Sequence, residues 1–207
     1  MRRLMLVACC ALLGGGCTLP GARSDPSTFF TLTPTEVLDA SAGVPCSILG
    51  LGPVAIPRYL DRPQLVTRVG QNELRLADVA RWAEPLRESV VRVLRQDLVA
   101  ASAAKTVVLY PWAASASVEL AVAVDILRFE PSGGGDAELV ARWSVREVPH
   151  GRVLLVRESR IAEPAQESGT GAQVAALSRA LGALAREITA AVRDIGRRSE
   201  DAAQSGR

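Results

Sequence analysis

Few residues in this sequence have the types and spacing that catalysis needs. His150 is the only histidine, and it lies between Pro149 and Gly151 in what reads as a tight turn. A Ser-His-Asp triad and a histidine metal site therefore lack their main component. There is no G-x-S-x-G motif, and the glycines at 133–135 are not followed by the Lys-Ser/Thr of a phosphate loop.

Paired carboxylates are the remaining side chains that could be catalytic. Asp61, Glu119 and Asp125 could form a catalytic pair, but carboxylates on strands and loops are more often solvated. Gly50 and Gly52 do not form a dinucleotide fingerprint, because no third glycine opens a helix after them. We therefore expect a protein that is not an enzyme and that holds no metal and no cofactor.

Cys17 is the residue with the clearest chemistry. Arg2 and Arg3 are followed by the apolar run Leu4–Leu13, whose roughly ten residues fit a signal h-region and are too few to span a bilayer. Glycines at 14–16 then lead directly to Cys17. This order looks like a bacterial lipoprotein signal, in which the cysteine thiol takes up a diacylglyceryl group. We predict a signal peptide at 1–16 and a lipid anchor at Cys17.

Alternatives to this anchor remain open. Gly14 stands where lipoprotein signals usually carry an aliphatic residue, and the segment 6–9 fits that pattern by letter, so acylation of Cys9 or Cys10 is one alternative. An ordinary signal peptide is the other. Acylation with two or three chains would anchor the protein firmly, since each buried methylene contributes ~0.8 kcal/mol. Thr18 is not the Asp that favours inner-membrane retention, which points to the outer membrane.

Composition limits the possible partners. Without the signal, about 190 residues remain, which suits one domain. The net charge of +2 includes Arg2 and Arg3, so the mature protein is close to neutral and nucleic acid is not expected as a partner. Cys46 would be the one cysteine left unmodified, so no internal disulfide is predicted and a buried, apolar role is favoured.

Hydrophobic periodicity predicts the elements. Strands are expected at 29–33, 47–56, 64–68, 73–76, 107–110, 118–130, 138–148 and 152–161, and helices from near Ala83 to Leu98 and from about Ala172 to Ile195. The glycines at 50 and 52 indicate a bend or a close backbone approach. The alternation after Val118 changes phase at Leu127, which predicts a bulge.

These elements predict an α/β fold. We expect a single domain in which a mixed, mostly antiparallel sheet packs with two long amphipathic helices. The domain would cover 29–196, after a lipidated tether at 17–28 and before a disordered tail at 197–207.

Two segments resemble a known family when they are taken together. They are Tyr59–Arg68, with the sequence YLDRPQLVTR, and Arg81–Leu86, with the sequence RWAEPL; the strand at 29–32, FFTL, precedes them. This combination resembles the PqiC-type ABC-transport auxiliary lipoproteins, over roughly 17–195.

The resemblance implies a helper protein and not an enzyme. Members are outer-membrane-anchored periplasmic lipoproteins that work beside transporters whose MCE (mammalian cell entry) domain proteins conduct lipid between the two membranes. The implied partners are an MCE-domain periplasmic protein and the outer membrane, and a homo-oligomer is plausible. Two other hypotheses stay open: another envelope scaffold or cell-wall-binding lipoprotein, and a periplasmic hydrolase.

The residues singled out on these segments have two interpretations. They are Tyr59, Asp61, Arg62, Arg68, Arg81 and Trp82. They could form a patch that contacts a partner, or an internal cluster of salt bridges that fixes the turn before Pro63. Trp82, like Trp143, is expected in the core, with partner contact as the less favoured role.

Overall fold

The computed structural model describes residues 25–35, 46–102 and 106–205. Within these ranges the protein forms eight strands, two long helices and a short 3-10 turn. The strands are β1 (Thr28–Phe30), β2 (Ile48–Ala55), β3 (Gln64–Arg68), β4 (Leu74–Trp82), β5 (Thr106–Leu109), β6 (Leu120–Pro131), β7 (Ala137–Glu147) and β8 (Val153–Glu163); the helices are α1 (Leu86–Ser102) and α2 (Thr170–Ser205). The α/β class predicted from the sequence is confirmed.

The larger sheet has five strands in the order β5-β2-β6-β7-β8. β2 is parallel to β5 and β6, whereas β6, β7 and β8 form an antiparallel meander. Burial alternates along β7, where the buried positions are Ala137, Leu139, Ala141, Trp143 and Val145. The sheet therefore has one dry face, and both helices cover it: α2 packs on β6, β7 and β8, and α1 packs on β2, β5 and α2.

The helix faces that periodicity predicts are buried. The buried apolar positions of α2 include Val174, Leu177, Leu181, Leu184, Ile188, Val192 and Ile195, and those of α1 include Leu86, Val90, Val93, Leu94 and Leu98. Trp143 is also in the core, as expected, and its indole N–H donates to Ser159 Oγ at 2.8 Å. This hydrogen bond satisfies the one polar group of the indole ring.

Two irregularities predicted for the strands are present. The register of β6 against β7 shifts between Ile126 and Arg128, so Leu127 is the bulged residue. Gly50 lies under the segment that follows β5, and a Cβ there would come within 2.9 Å of the side chains of Trp112 and Val118. The outer face of β2 is thus closely covered at this point, where only glycine fits.

The expectation of a single sheet was wrong. β1, β4 and β3 form a separate three-stranded sheet, in which β1 is parallel and β3 antiparallel to β4. β5 and β6 occupy both edges of β2, so the next strands along the sequence do not pair with β2. Three of the six strand pairings in the described residues are parallel, but the longest ladders, β6 with β7 and β7 with β8, are antiparallel, as expected.

Several predicted boundaries also needed correction. β1 ends at Phe30 and not at 33, and β4 continues from Leu74 to Trp82, beyond the predicted 73–76. Because 81–82 belong to a strand, α1 begins at Leu86 and not near Ala83. The carbonyl of Pro85 accepts the N–H groups of the first turn, from Glu88 at 3.0 Å and Ser89 at 3.1 Å.

The C-terminal helix is longer than predicted. It extends to Ser205, so residues 197–205, which we expected to be disordered, are helical. Arg197 pairs with the carboxylate of Asp194, and Arg198 Nε donates to the Asp194 carbonyl at 3.1 Å. The sequence at 199–205 also lacks glycine and proline and therefore tolerates a helix. The predicted signal peptide at 1–16, Cys17 and most of the tether lie outside the described residues.

A buried carboxylate connects the two sheets. Glu130, on β6 of the larger sheet, is 1% exposed. Its Oε1 accepts from Arg68 Nε on β3 at 2.7 Å, and its Oε2 accepts from the Tyr59 hydroxyl at 2.8 Å and the Phe129 N–H at 2.9 Å. Beside it, an isolated bridge joins Arg68 and Ser132. We call Tyr59, Arg68 and Glu130 the junction cluster.

We predict that Glu130→Ala lowers the free energy of unfolding by about 3–5 kcal/mol, because it leaves the Arg68 guanidinium and the Tyr59 hydroxyl without their buried acceptor. Urea denaturation followed by circular dichroism measures this loss. The matched control is Glu138→Ala, which breaks the half-exposed Arg128–Glu138 pair and should cost at most about 1 kcal/mol. Equal effects of the two variants would show that the junction cluster does not stabilise the fold.

Candidate functional site

The two family-like segments meet at one surface pocket. It has a volume of about 390 Å³ and is lined by Asp61, Arg62, Pro63, Trp82, Ala83, Glu84 and Pro85. Each lining residue belongs to one of the two segments that the sequence analysis singled out. We call this the motif pocket.

Backbone hydrogen bonds hold its two sides together. The Trp82 N–H donates to the Pro63 carbonyl at 2.7 Å, and Gln64 pairs with Arg81 in the small sheet. The Ala83 N–H donates to the Phe30 carbonyl at 2.8 Å, which attaches the pocket to β1. The pocket is thus built between β3, the end of β4 and the start of α1.

Its two acidic residues are both neutralised by arginines of α1. Asp61 Oδ2 lies 3.0 Å from Arg87 Nη2, and Glu84 Oε1 lies 2.5 Å from Arg92 Nη2. The hydrogen bond from Arg92 holds the pKa of Glu84 below its usual value. Arg92 also donates to the Leu32 carbonyl at 3.1 Å, so it connects three segments.

Arg62 differs from the other charged residues of the motif pocket. No salt bridge or hydrogen bond to its side chain occurs among the described residues, and its Nε atom is buried without a partner. The pocket therefore contains two compensated negative charges and one uncompensated positive charge.

The six predicted site residues do not form one cluster. Asp61, Arg62 and Trp82 line the motif pocket, whereas Tyr59 and Arg68 belong to the junction cluster. Arg81 belongs to neither group, and its Nε donates to Ser27 Oγ at 2.8 Å, near the start of β1. Trp82 is 7% exposed, which agrees with the expected core position.

Sequence reasoning missed the partners of these residues. Glu84 was inside a recognised segment, yet its pairing with Arg92 spans the strand-to-helix boundary that was misplaced. Arg87 and Arg92 lie outside both family-like segments, on α1. Glu130 carried no signal, because it follows the bulge at Leu127 and cannot be assigned to an inner or outer face by simple alternation.

His150 and Cys46 are placed as the sequence analysis expected. His150 lies in the turn between β7 and β8, is exposed, and approaches Glu147 Oε2 at 3.4 Å. Cys46 is buried, and burial, with a smaller contribution from Glu119, raises the pKa of its thiol to about 11. Over the described ranges, no three His, Cys, Asp or Glu side chains are grouped as a metal site would need, and no helix is long and apolar enough to cross a membrane.

Comparison with known families identifies the protein. The model of the ABC-type transport auxiliary lipoprotein component family matches residues 30–189, which include β2–β8, α1 and both sides of the motif pocket. The chain belongs to this family. The PqiC-type resemblance of its two segments is thereby confirmed.

Solved structures support the fold of this auxiliary lipoprotein. The XCC0632 protein of Xanthomonas campestris, a DUF330 family protein, is 20% identical with a TM-score of 0.70, over 84% of this chain and 99% of its own. An uncharacterized protein is 16% identical with a TM-score of 0.66, over 80% and 98% of the two chains. At these identities the likeness shows the fold alone. No curated protein matches.

The Tyr59 phenol gives a prediction for high pH. Burial raises its pKa to about 12, helped by the hydrogen bond to Glu130, so the fold favours the neutral phenol. Because an unfolded tyrosine has a pKa near 10, this contribution to stability is complete below pH ~10 and is lost as the pH rises toward 12. Absorbance titration at 295 nm should show a phenol ionising near pH 12 that Tyr59→Phe removes. Persistence of that step in Tyr59→Phe would contradict the assignment.

Proposed function

We propose that this auxiliary lipoprotein is anchored in the outer membrane through Cys17 and docks the outer-membrane end of the conduit of an MCE-type ABC lipid transport system. Its role is to hold a partner in place, in support of envelope integrity. Family membership supports a transport-auxiliary role, and the lipoprotein-like signal supports the anchor.

The motif pocket is the observation that carries this proposal. The segments through which the protein resembles its family come together at the surface, where Asp61, Ala83 and Pro85 are exposed. Residues that served only the core would be buried instead. An exposed, preformed pocket with fixed charges is what a docking surface requires.

The exposure of the charged residues also favours a role in partner contact over a role in stabilising the fold. The side chains of Asp61 and Arg87 are 41% and 51% exposed, and an ion pair of that exposure contributes only about 0–1 kcal/mol to stability. Arg62 makes no ion pair in the described residues. Asp61 and Arg62 therefore contribute little to the fold that would explain their presence.

The absence of catalysis is part of the same proposal. The only histidine is an exposed turn residue, and burial keeps the Cys46 thiol protonated at neutral pH. Neither group lines the motif pocket. The function we propose depends on position and on contacts with a partner.

The double variant Asp61→Ala, Arg62→Ala tests whether these residues contact the partner. We expect the melting temperature to change by no more than a few degrees, because both side chains contribute little to the fold. Co-purification with the MCE-domain protein should be lost. Arg157→Ala, at an exposed position on β8, serves as the control and should retain the partner. A large fall in melting temperature would support the turn-fixing interpretation instead.

The anchor is tested by Cys17→Ser with the rest of the protein intact. We expect the wild-type protein to fractionate with the outer membrane and the variant to appear in the soluble periplasmic fraction, since the thiol is the acylation site. Mass spectrometry of the mature N-terminus identifies the lipid. An unchanged membrane fraction would point to Cys9 or Cys10, and an unacylated wild type to an ordinary signal peptide. Capture of peptidoglycan or an outer-membrane protein, without the MCE-domain protein, would favour a different envelope scaffold.

A further inference from the structure

We propose that the motif pocket binds a carboxylate of the partner protein, and that Arg62 is the residue that receives it. This inference rests on the proposed docking function and specifies its chemistry. The partner group would be the side-chain carboxylate of an Asp or Glu, or a C-terminal carboxylate, beside an apolar residue.

The charge balance of the motif pocket favours an anionic ligand. Asp61 and Glu84 are each held by an arginine of α1, at 3.0 Å and 2.5 Å, so neither is available to neutralise Arg62. A positive charge is thus presented to whatever enters. An opposite charge on the partner is the complement that such a site selects.

The terminal nitrogens of Arg62 are the donors that a ligand can reach. The Nε atom is shielded from solvent and therefore from an entering group. The two Nη nitrogens are not among the buried unpaired atoms, and no acceptor for them occurs within the described part of the protein. A carboxylate suits a guanidinium because its two oxygens can accept two parallel N–H bonds.

Apolar surface lies beside the charge of Arg62. Pro63, Trp82 and Pro85 supply it, and it fits a side chain next to the carboxylate. A lipid phosphate is the competing ligand, since the neighbouring hollow on α1 includes the apolar side chains of Val91 and Leu109 beside its arginines. The experiments below separate the two ligands.

The first part of the test finds the neighbour in cells. A photo-reactive phenylalanine derivative replaces Ala83, which is exposed and lines the pocket, in the full-length anchored protein. After irradiation, mass spectrometry identifies the cross-linked peptide. We expect a protein segment that contains Asp, Glu or a C-terminus within a few residues of the cross-link. A segment without any carboxylate, or cross-linking to phospholipid alone, would overturn the proposal.

The second part of the test reverses the charge at position 62. Arg62→Glu should weaken binding of the identified partner by about tenfold or more, as expected for loss of a close charge pair. A reciprocal Asp→Arg or Glu→Arg change in the partner should restore it. Arg157→Glu is the matched control and should bind normally. Arg62→Gln, with melting checked by circular dichroism, distinguishes lost recognition from lost folding.

The two proposals can fail separately. If the MCE-domain protein binds Arg62→Glu and the wild type equally, the carboxylate proposal is wrong and the docking function stands. If the cross-linked acidic segment belongs to another envelope protein and its binding depends on Arg62, the carboxylate proposal stands and the MCE partner is wrong. Loss of binding to phosphatidylglycerol vesicles in Arg62→Glu, with protein binding unchanged, would assign the pocket to lipid and overturn the proposal.

Discussion

The arrangement of the molecule depends on one buried contact between two sheets. β5 and β6 occupy both edges of β2, and β3 and β4 form their own sheet with β1, so the two sheets need a separate connection. Glu130 supplies it from the core, with Arg68 and Tyr59 as partners from the smaller sheet and the turn before it. A charged group this deeply buried is tolerated only when its hydrogen bonds are made, so the junction specifies one relative placement of the sheets.

The shape of the motif pocket depends on the relative placement of the two sheets. One side is the turn that leads from Tyr59 to β3, and the other is the exit of β4 into α1. Tyr59 and Arg68 lie at the two ends of the first family-like segment and anchor it to Glu130, while Asp61 and Arg62 between them line the surface pocket. One short segment thus divides its residues between holding the sheets together and presenting a pocket.

The sequence predicted what depends on local periodicity and missed what depends on topology. The helical face of α2, the alternation along β7 and the bulge at Leu127 were all predicted, because each follows from the order of apolar residues. The second sheet was missed, since a strand pattern does not specify which edge the strand joins. The extension of α2 beyond Ile195 was missed because polar residues carry no burial signal, although they are compatible with a helix.

The same limit applies to the candidate site. Motif reasoning placed Asp61, Arg62 and Trp82 in one region, and they share a pocket. It could not assign Arg87 and Arg92 as the partners of the acidic residues, because those pairs join loop segments to the surface of α1. These pairs matter for function. Because Arg87 and Arg92 neutralise the two acidic side chains, Arg62 sets the charge that the pocket presents. The recognition proposed for this surface therefore follows from which charges the fold has already paired, which composition alone does not reveal.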